Sequence, residues 1–189
     1  MIDLLRNRLL ILRGKTIVEF GAGYHEAFRE QIARHNRYIV TDVDLSGLPA
    51  LHSSYLEIQY MNACETALAD ESVDFACSSM LVMHLPLEKH FSEVRRVLKR
   101  DGVYLIAVTG PEHHRELKRA GIDPGIDVQK DALLSLGARI AQEEKRFEPF
   151  VSVEERESWL KFAQPEWRGR IAELTGLTKH YLLFELQAR

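Results

Sequence analysis

Short apolar runs alternate along this chain with stretches whose apolar residues recur every three or four positions. That alternation admits few folds. Ile17–Val18, Tyr38–Thr41, Tyr55–Tyr60, Val73–Ser78 and Val103–Val108 read as strands. Between the first two, Tyr24–His35 reads as a helix with Phe28, Ile32 and Ala33 inward. Leu87, Phe91, Val94 and Leu98 mark another helix, with Glu88, Lys89 and Arg95 on its solvent side. Asp70-Glu71-Ser72 and Asp101-Gly102 are turn signals. Strands that alternate with helices imply a mostly parallel, doubly wound α/β sheet, with Val103–Val108, nearly all apolar, near its centre.

The C-terminal third continues the pattern less cleanly. Val128–Leu136 reads as a helix capped by Gly137, and Ala138–Phe147 as a sixth strand. Ser152-Val153-Glu154-Glu155 has the spacing of a capping box and opens a further helix, with Trp159 and Phe162 on it and Trp167 beyond Pro165. Tyr181–Leu186 is a last strand, making seven. At the other end, Ile2, Leu5, Leu9 and Leu12 share a helical face. The expected organisation is one domain over 1–189: an N-terminal helix in 1–14, a core in 15–110, and an insertion at 149–179. The insertion's aromatics either pack a satellite core, the preferred reading, or cover a bound acceptor.

Composition excludes several classes. Of 189 residues, 25 are Lys or Arg and 28 are Asp or Glu, a net charge of -3, so no global field draws the chain to nucleic acid. No apolar stretch is long enough to span a bilayer. The arginines among the first thirteen residues, with no small-residue cleavage site after them, argue against a signal peptide. Cys64 and Cys77 have neither disulfide-framework nor metal-ligand spacing, which fits a reducing, cytoplasmic compartment and a chain without a resident metal.

The chemistry concentrates in Lys15-Thr-Ile-Val-Glu-Phe-Gly-Ala-Gly23. A buried strand carries an acid, Glu19, and breaks at Gly21 and Gly23. Glycines let the backbone turn tightly and come close to a ligand. The C-terminal end of a parallel strand is where open α/β sheets bind ligands. A carboxylate at the mouth of the turn accepts from hydroxyls or a cationic amine and repels a phosphate. The position of a third fingerprint glycine is Glu26, so a dinucleotide is disfavoured twice over.

Taken in order, these features resemble the class I S-adenosylmethionine-dependent methyltransferases, of the small-molecule kind often grouped as type 11. The resemblance covers residues 15–110 well. Glu19-Phe20-Gly21-Ala22-Gly23 resembles the family's first motif. Asp42 resembles the acid that ends strand 2 and takes the ribose hydroxyls. Asp44, in Asp44-Leu45-Ser46, is its rival; Asp42 is preferred because it directly follows the apolar run. Asn62-Ala63 resembles the pair bordering the adenine, and Asp74–His84 the fourth strand and its turn. Glu93–Gly102 resembles the helix and turn leading into strand 5. The resemblance implies a Rossmann-like seven-stranded fold and S-adenosylmethionine as cofactor. It also implies a small-molecule acceptor and a cofactor set of Glu19, Gly21, Ala22, Gly23, Asp42, Asn62, Ala63 and Ser78. On this reading Glu19 favours the ammonium of the cofactor and the loop N–H groups meet its carboxylate.

Three departures stand out. His25 occupies the place of the loop's third glycine, and Asn62 that of a common aspartate, though its carbonyl still accepts from an amine. Only a short segment precedes the first strand, so the acceptor site closes by other means, stays open or uses a protein partner. These departures keep a second reading in view: a methyltransferase-like binding subunit without activity. No catalytic residue is assigned. His84 reads as a histidine at a helix start, bonded to backbone, and His113-His114 as an exposed loop pair; each is otherwise a candidate base.

Overall fold

The computed structural model describes residues 2–24, 28–48, 56–123, 129–162 and 165–188. Within them seven strands form one sheet, ordered β3-β2-β1-β4-β5-β7-β6. They are β1 (Thr16–Phe20), β2 (Arg37–Asp42), β3 (Leu56–Tyr60), β4 (Val73–Ser79), β5 (Leu98–Thr109), β6 (Arg139–Pro149) and β7 (Gly176–Gln187). The first five pair in parallel, while β7 runs antiparallel to both β5 and β6. The chain enters at β1, steps outward to β2 and β3, then returns to the other side of β1 with β4. The strand order therefore reverses between β1 and β4, and the crevice at their carboxyl ends is where such a sheet receives a ligand.

Alternation along each strand sorts the core into two layers. Ile17, Tyr38, Val40, Cys77, Leu105 and Ala107 pack with Leu4, Leu5 and Leu9 of α1 (Ile2–Leu9) and Phe28 and Ile32 of α2 (Phe28–Ala33). Their strand neighbours Val18, Phe20, Ile39, Ala76, Tyr104 and Ile106 face the other way. These meet Phe91, Val94 and Val97 of α3 (Leu87–Val97). Helices thus cover both faces, as the βαβ rhythm requires.

Further elements are α4 (Arg115–Arg119), α5 (Lys130–Ser135), α6 (Val153–Phe162) and α7 (Arg168–Ala172). Gly137 caps α5 at φ +88°, with Ala138 N–H closing back on Leu133 O at 3.0 Å. Ser152 Oγ accepts from Glu155 N–H at 3.0 Å, while Glu155 accepts from Val151 N–H, one residue before the capping-box position. In the 149–179 segment Phe150, Trp167, Ile171, Leu174 and Leu177 pack against Leu117 and Ile122, a satellite cluster.

Two boundaries differ from the sequence reading. The Asp101-Gly102 signal is not the end of an element: Leu98 pairs with Val73 and Val103 with Phe75, so the intervening residues form an irregularity inside β5. β7 begins at Gly176, five residues before Tyr181, because Thr178, Lys179 and His180 pair with β6 although they interrupt the apolar run. The outer strand β6 is mostly solvated, and Arg146 joins Glu144 and Glu148 along it at 2.5 and 2.6 Å. Charge of this kind discourages a further strand from adding to the edge. No helix among the described residues is long and apolar enough to cross a membrane.

Candidate functional site

The turn after β1 is held in a form only glycine adopts readily. Gly21 and Gly23 have φ of +65° and +60°. A Cβ on Gly21 would lie 2.6 Å from Leu81 Cδ1, whereas one on Gly23 would meet nothing within 4 Å. Gly21 is packed against the turn after β4, and Gly23 fronts open space. The ends of the strands are tied together around them. Ala22 N–H donates to Thr41 O at 3.0 Å, and Thr41 Oγ1 donates to Glu19 O at 2.9 Å.

Glu19 does not stand open at the mouth of this turn. It is 4 % exposed, and Arg29 from α2 meets it with two parallel bonds, Nε to Oε2 at 2.7 Å and Nη2 to Oε1 at 2.6 Å. Tyr38 donates its hydroxyl to Oε2 at 2.6 Å. Arg29 also donates to Ala22 O at 2.8 Å and Tyr24 O at 2.5 Å, so one guanidinium clamps both the acid and the loop. Burial works against this cation, but Glu19's hydrogen bonds and charge hold its pKa above the ordinary arginine range. Burial, with Cys77 and Glu19 nearby, pushes the Tyr38 phenol well up, so it stays a donor. The sequence showed the acid but not its partner. The only signal was helical spacing, which puts Arg29 on the same face as Ile32 and Ala33.

The two aspartates after β2 have different tasks. Asp42 Oδ2 accepts from Gly23 N–H at 2.8 Å and Oδ1 from Asp44 N–H at 3.0 Å, joining the glycine loop to the β2 turn. Asp44 is exposed and uses Oδ1 for Ser46 N–H at 2.9 Å. That bond holds the Asp44 carboxyl below its usual range. After β3, Asn62 is exposed and takes Cys64 N–H on Oδ1 at 2.9 Å, while Ala63 is buried. Gly21, Ala22, Gly23, Asp42, Asn62 and Ala63 all lie at the carboxyl ends of β1, β2 and β3. His25 falls outside the described residues.

Ser78 belongs elsewhere. It is fully buried on the α3 side and bonds Tyr104 Oη at 2.7 Å, so the expected cofactor contact is not open to a ligand. Tyr104 Oη in turn lies 2.8 Å from His90 Nε2, and His90 Nδ1 2.7 Å from Ala63 O. A carbonyl can only accept, so Nδ1 carries the proton; Nε2 of the neutral ring then accepts from Tyr104, and Ser78 donates to Tyr104. Burial keeps His90 neutral by lowering its pKa. This chain of bonds fixes the Ala63 turn from beneath.

On the far side of the sheet end, His113 and His114 are 5 % and 7 % exposed, not the exposed loop pair that the sequence suggested. Thr178, Lys179, His180 and Tyr181 of β7 lie against them. The His113 ring lies 4.0 Å from that of His114 and 5.0 Å from that of Tyr181. His114 Nε2 faces Lys179 Nζ at 3.0 Å. Burial first, then neighbouring positive charge, lowers His113 to about 4, and burial with His113 and Lys179 lowers His114 to about 3. Both rings are neutral at pH 7. His84 is exposed in the turn after β4, with no side-chain hydrogen bond to backbone. Among the described residues no group of histidine, cysteine, aspartate and glutamate could hold a metal ion.

The methyltransferase-domain family matches residues 18–106, just under half of the chain. Over those residues the chain is similar to that family. The fold is similar to that of the YcgJ protein from Bacillus subtilis, with a TM-score of 0.68 at 15% identity over 100% of this chain and 97% of that one. It is also similar to a chain in the complex of the Haloferax volcanii Trm112 methyltransferase activator, at 0.64 and 18%, over 99% and 87%. Haemonchus contortus phosphoethanolamine N-methyltransferase 2, solved with S-adenosyl-L-methionine, gives 0.59 and 16%, over 100% of this chain and 52% of that one. At such identities the likeness shows a class I methyltransferase fold and no more. No curated protein sequence matches the chain.

Proposed function

We propose that this chain, acting as one domain, binds S-adenosylmethionine at the carboxyl ends of β1, β2 and β3 and transfers its methyl group to a small-molecule acceptor. The observation that carries this reading is the joined turn: the Gly23 N–H bonds Asp42 at 2.8 Å, which ties the glycine loop to the paired-aspartate turn, and a Cβ on Gly23 would meet nothing within 4 Å. A ribose presents two adjacent hydroxyls. Each Asp42 oxygen already takes one N–H and keeps a lone pair, while Asp44 offers its Oδ2. We assign the ribose to this turn, with Asp44 as its more open acceptor. Exposed Asn62 has an amide N–H pair and a remaining carbonyl lone pair for the adenine edge.

The bound cofactor supplies a sulfonium methyl for in-line displacement. The chain's own contribution is then chiefly positioning, which can be worth several kcal/mol. A base is needed only for an acceptor that arrives protonated. The free, buried Cys64 and Cys77 suit a cytoplasmic setting.

One observation favours the second reading, a binding subunit without activity: the motif's acid is engaged by Arg29. Calorimetry with S-adenosylmethionine, followed by turnover with a panel of acceptors, separates the two. Binding with turnover supports the enzyme, binding without turnover the subunit. Gly23→Val, which fills the open space at a positive φ, should abolish binding in a protein that still folds. Unchanged affinity would place the site elsewhere.

A further inference from the structure

The described part of the loop expected to hold the charged tail of the cofactor spends Glu19, the Ala22 and Tyr24 carbonyls and the Ala22 and Gly23 N–H groups within the fold. Both Glu19 oxygens are taken by Arg29 and Tyr38. The carbonyls of Ala22 and Tyr24 accept from Arg29. Ala22 N–H donates to Thr41 O and Gly23 N–H to Asp42. An ammonium arriving here would find a carboxylate already neutralised by a guanidinium that is itself 2 % exposed. Recruiting Glu19 would leave Arg29 buried without its counter-charge, which is strongly unfavourable. The tail carboxylate fares no better at Ala22 and Gly23, whose N–H groups are engaged.

The nucleoside end is in the opposite condition. Asp44 and Asn62 are exposed, and the space above Gly23 is open. We infer that this site recognises its ligand by the adenosine and draws little affinity from the amino-acid tail, so that it accepts adenosine thioethers with or without that tail. The inference rests on the cofactor reading above and goes further, because it names which half of the ligand is recognised. Arg29 is the specificity-determining residue: by occupying Glu19 it removes the acid from ligand recognition.

The test is calorimetry on the full chain with S-adenosylhomocysteine and with 5′-methylthioadenosine, which lacks the tail. A charge-assisted hydrogen bond commonly carries about ten- to hundredfold in affinity. The two ligands are therefore expected to bind within about tenfold of each other. S-adenosylhomocysteine tighter by more than about tenfold would overturn the inference and leave the cofactor reading standing. Failure of both to bind would overturn both. Arg29→Met frees Glu19 and should widen the ratio by about tenfold, and a folded variant with the wild-type ratio counts against the inference. If that variant does not fold, the comparison of ligands on the wild-type protein decides alone.

Discussion

Replacing Arg29 by methionine tests the clamp under the glycine loop. Arg29 is 2 % exposed and its side chain makes four hydrogen bonds, two to Glu19 and one each to Ala22 O and Tyr24 O. Its loss leaves Glu19, 4 % exposed, with Tyr38 as its one partner. Breaking a buried pair from one side costs about 3–5 kcal/mol. For a chain of this length that lowers the melting temperature by roughly 6–20 °C. Adding Glu19→Gln removes the buried charge and should recover about half of the loss. Urea denaturation followed by circular dichroism measures both losses. A single variant within about 1 kcal/mol of wild type, or a double variant no more stable than the single, would refute the argument.

Three further outcomes follow from the same geometry. Asp44→Ala should weaken S-adenosylmethionine binding by about tenfold, the worth of a hydrogen bond to a charged group, and leave stability nearly unchanged. Calorimetry and a melting curve check this, and full affinity would remove Asp44 from the ribose site. Asp42→Ala should lower both affinity and stability, since it also unties Gly23 from the β2 turn; a variant of full stability would contradict that tie. The lowered His113 and His114 pKa values mean that the unfolded chain binds more protons below pH 6.5, so stability should fall on acidification from 6.5 towards 4. The slope for each histidine is at most about 1.4 kcal/mol per pH unit. Denaturation curves between pH 6.5 and 4.5 test it, and stability that is flat or rising there would show that the rings are not held neutral.

The sequence disclosed the elements that repeat a period and concealed those that depend on a partner. Ile17–Val18 before Gly21 and Gly23 is a strand and a tight turn on any reading, and the turn is where it was expected. Alternation cannot say which face of a strand looks where. The resemblance alone puts Ser78 in the cofactor set, whereas Ala76 and Ser78 share the α3 face. Glu19 was visible as an acid at the turn, but its occupation by Arg29 needed the docking of α2 on β1. His113 and His114 read as exposed because the β7 residues that lie against them, Thr178, Lys179 and His180 before Tyr181, lack a continuous apolar run. Strand order was not legible from periodicity at all. The reversal between β1 and β4 is seen only in the folded sheet.

The central claim is that the carboxyl ends of β1, β2 and β3 form the cofactor site. Titrating isotope-labelled protein with S-adenosylhomocysteine and following backbone amide resonances tests it most directly. The account predicts saturable shifts concentrated at Gly21–Gly23, Asp42–Ser46 and Asn62–Ala63, with residues of the outer hairpin such as Arg146 and Lys179 unmoved. Shifts centred instead on the 320 Å³ cavity beside Arg95, Arg139 and Gln187, or no shifts at millimolar ligand, would contradict it.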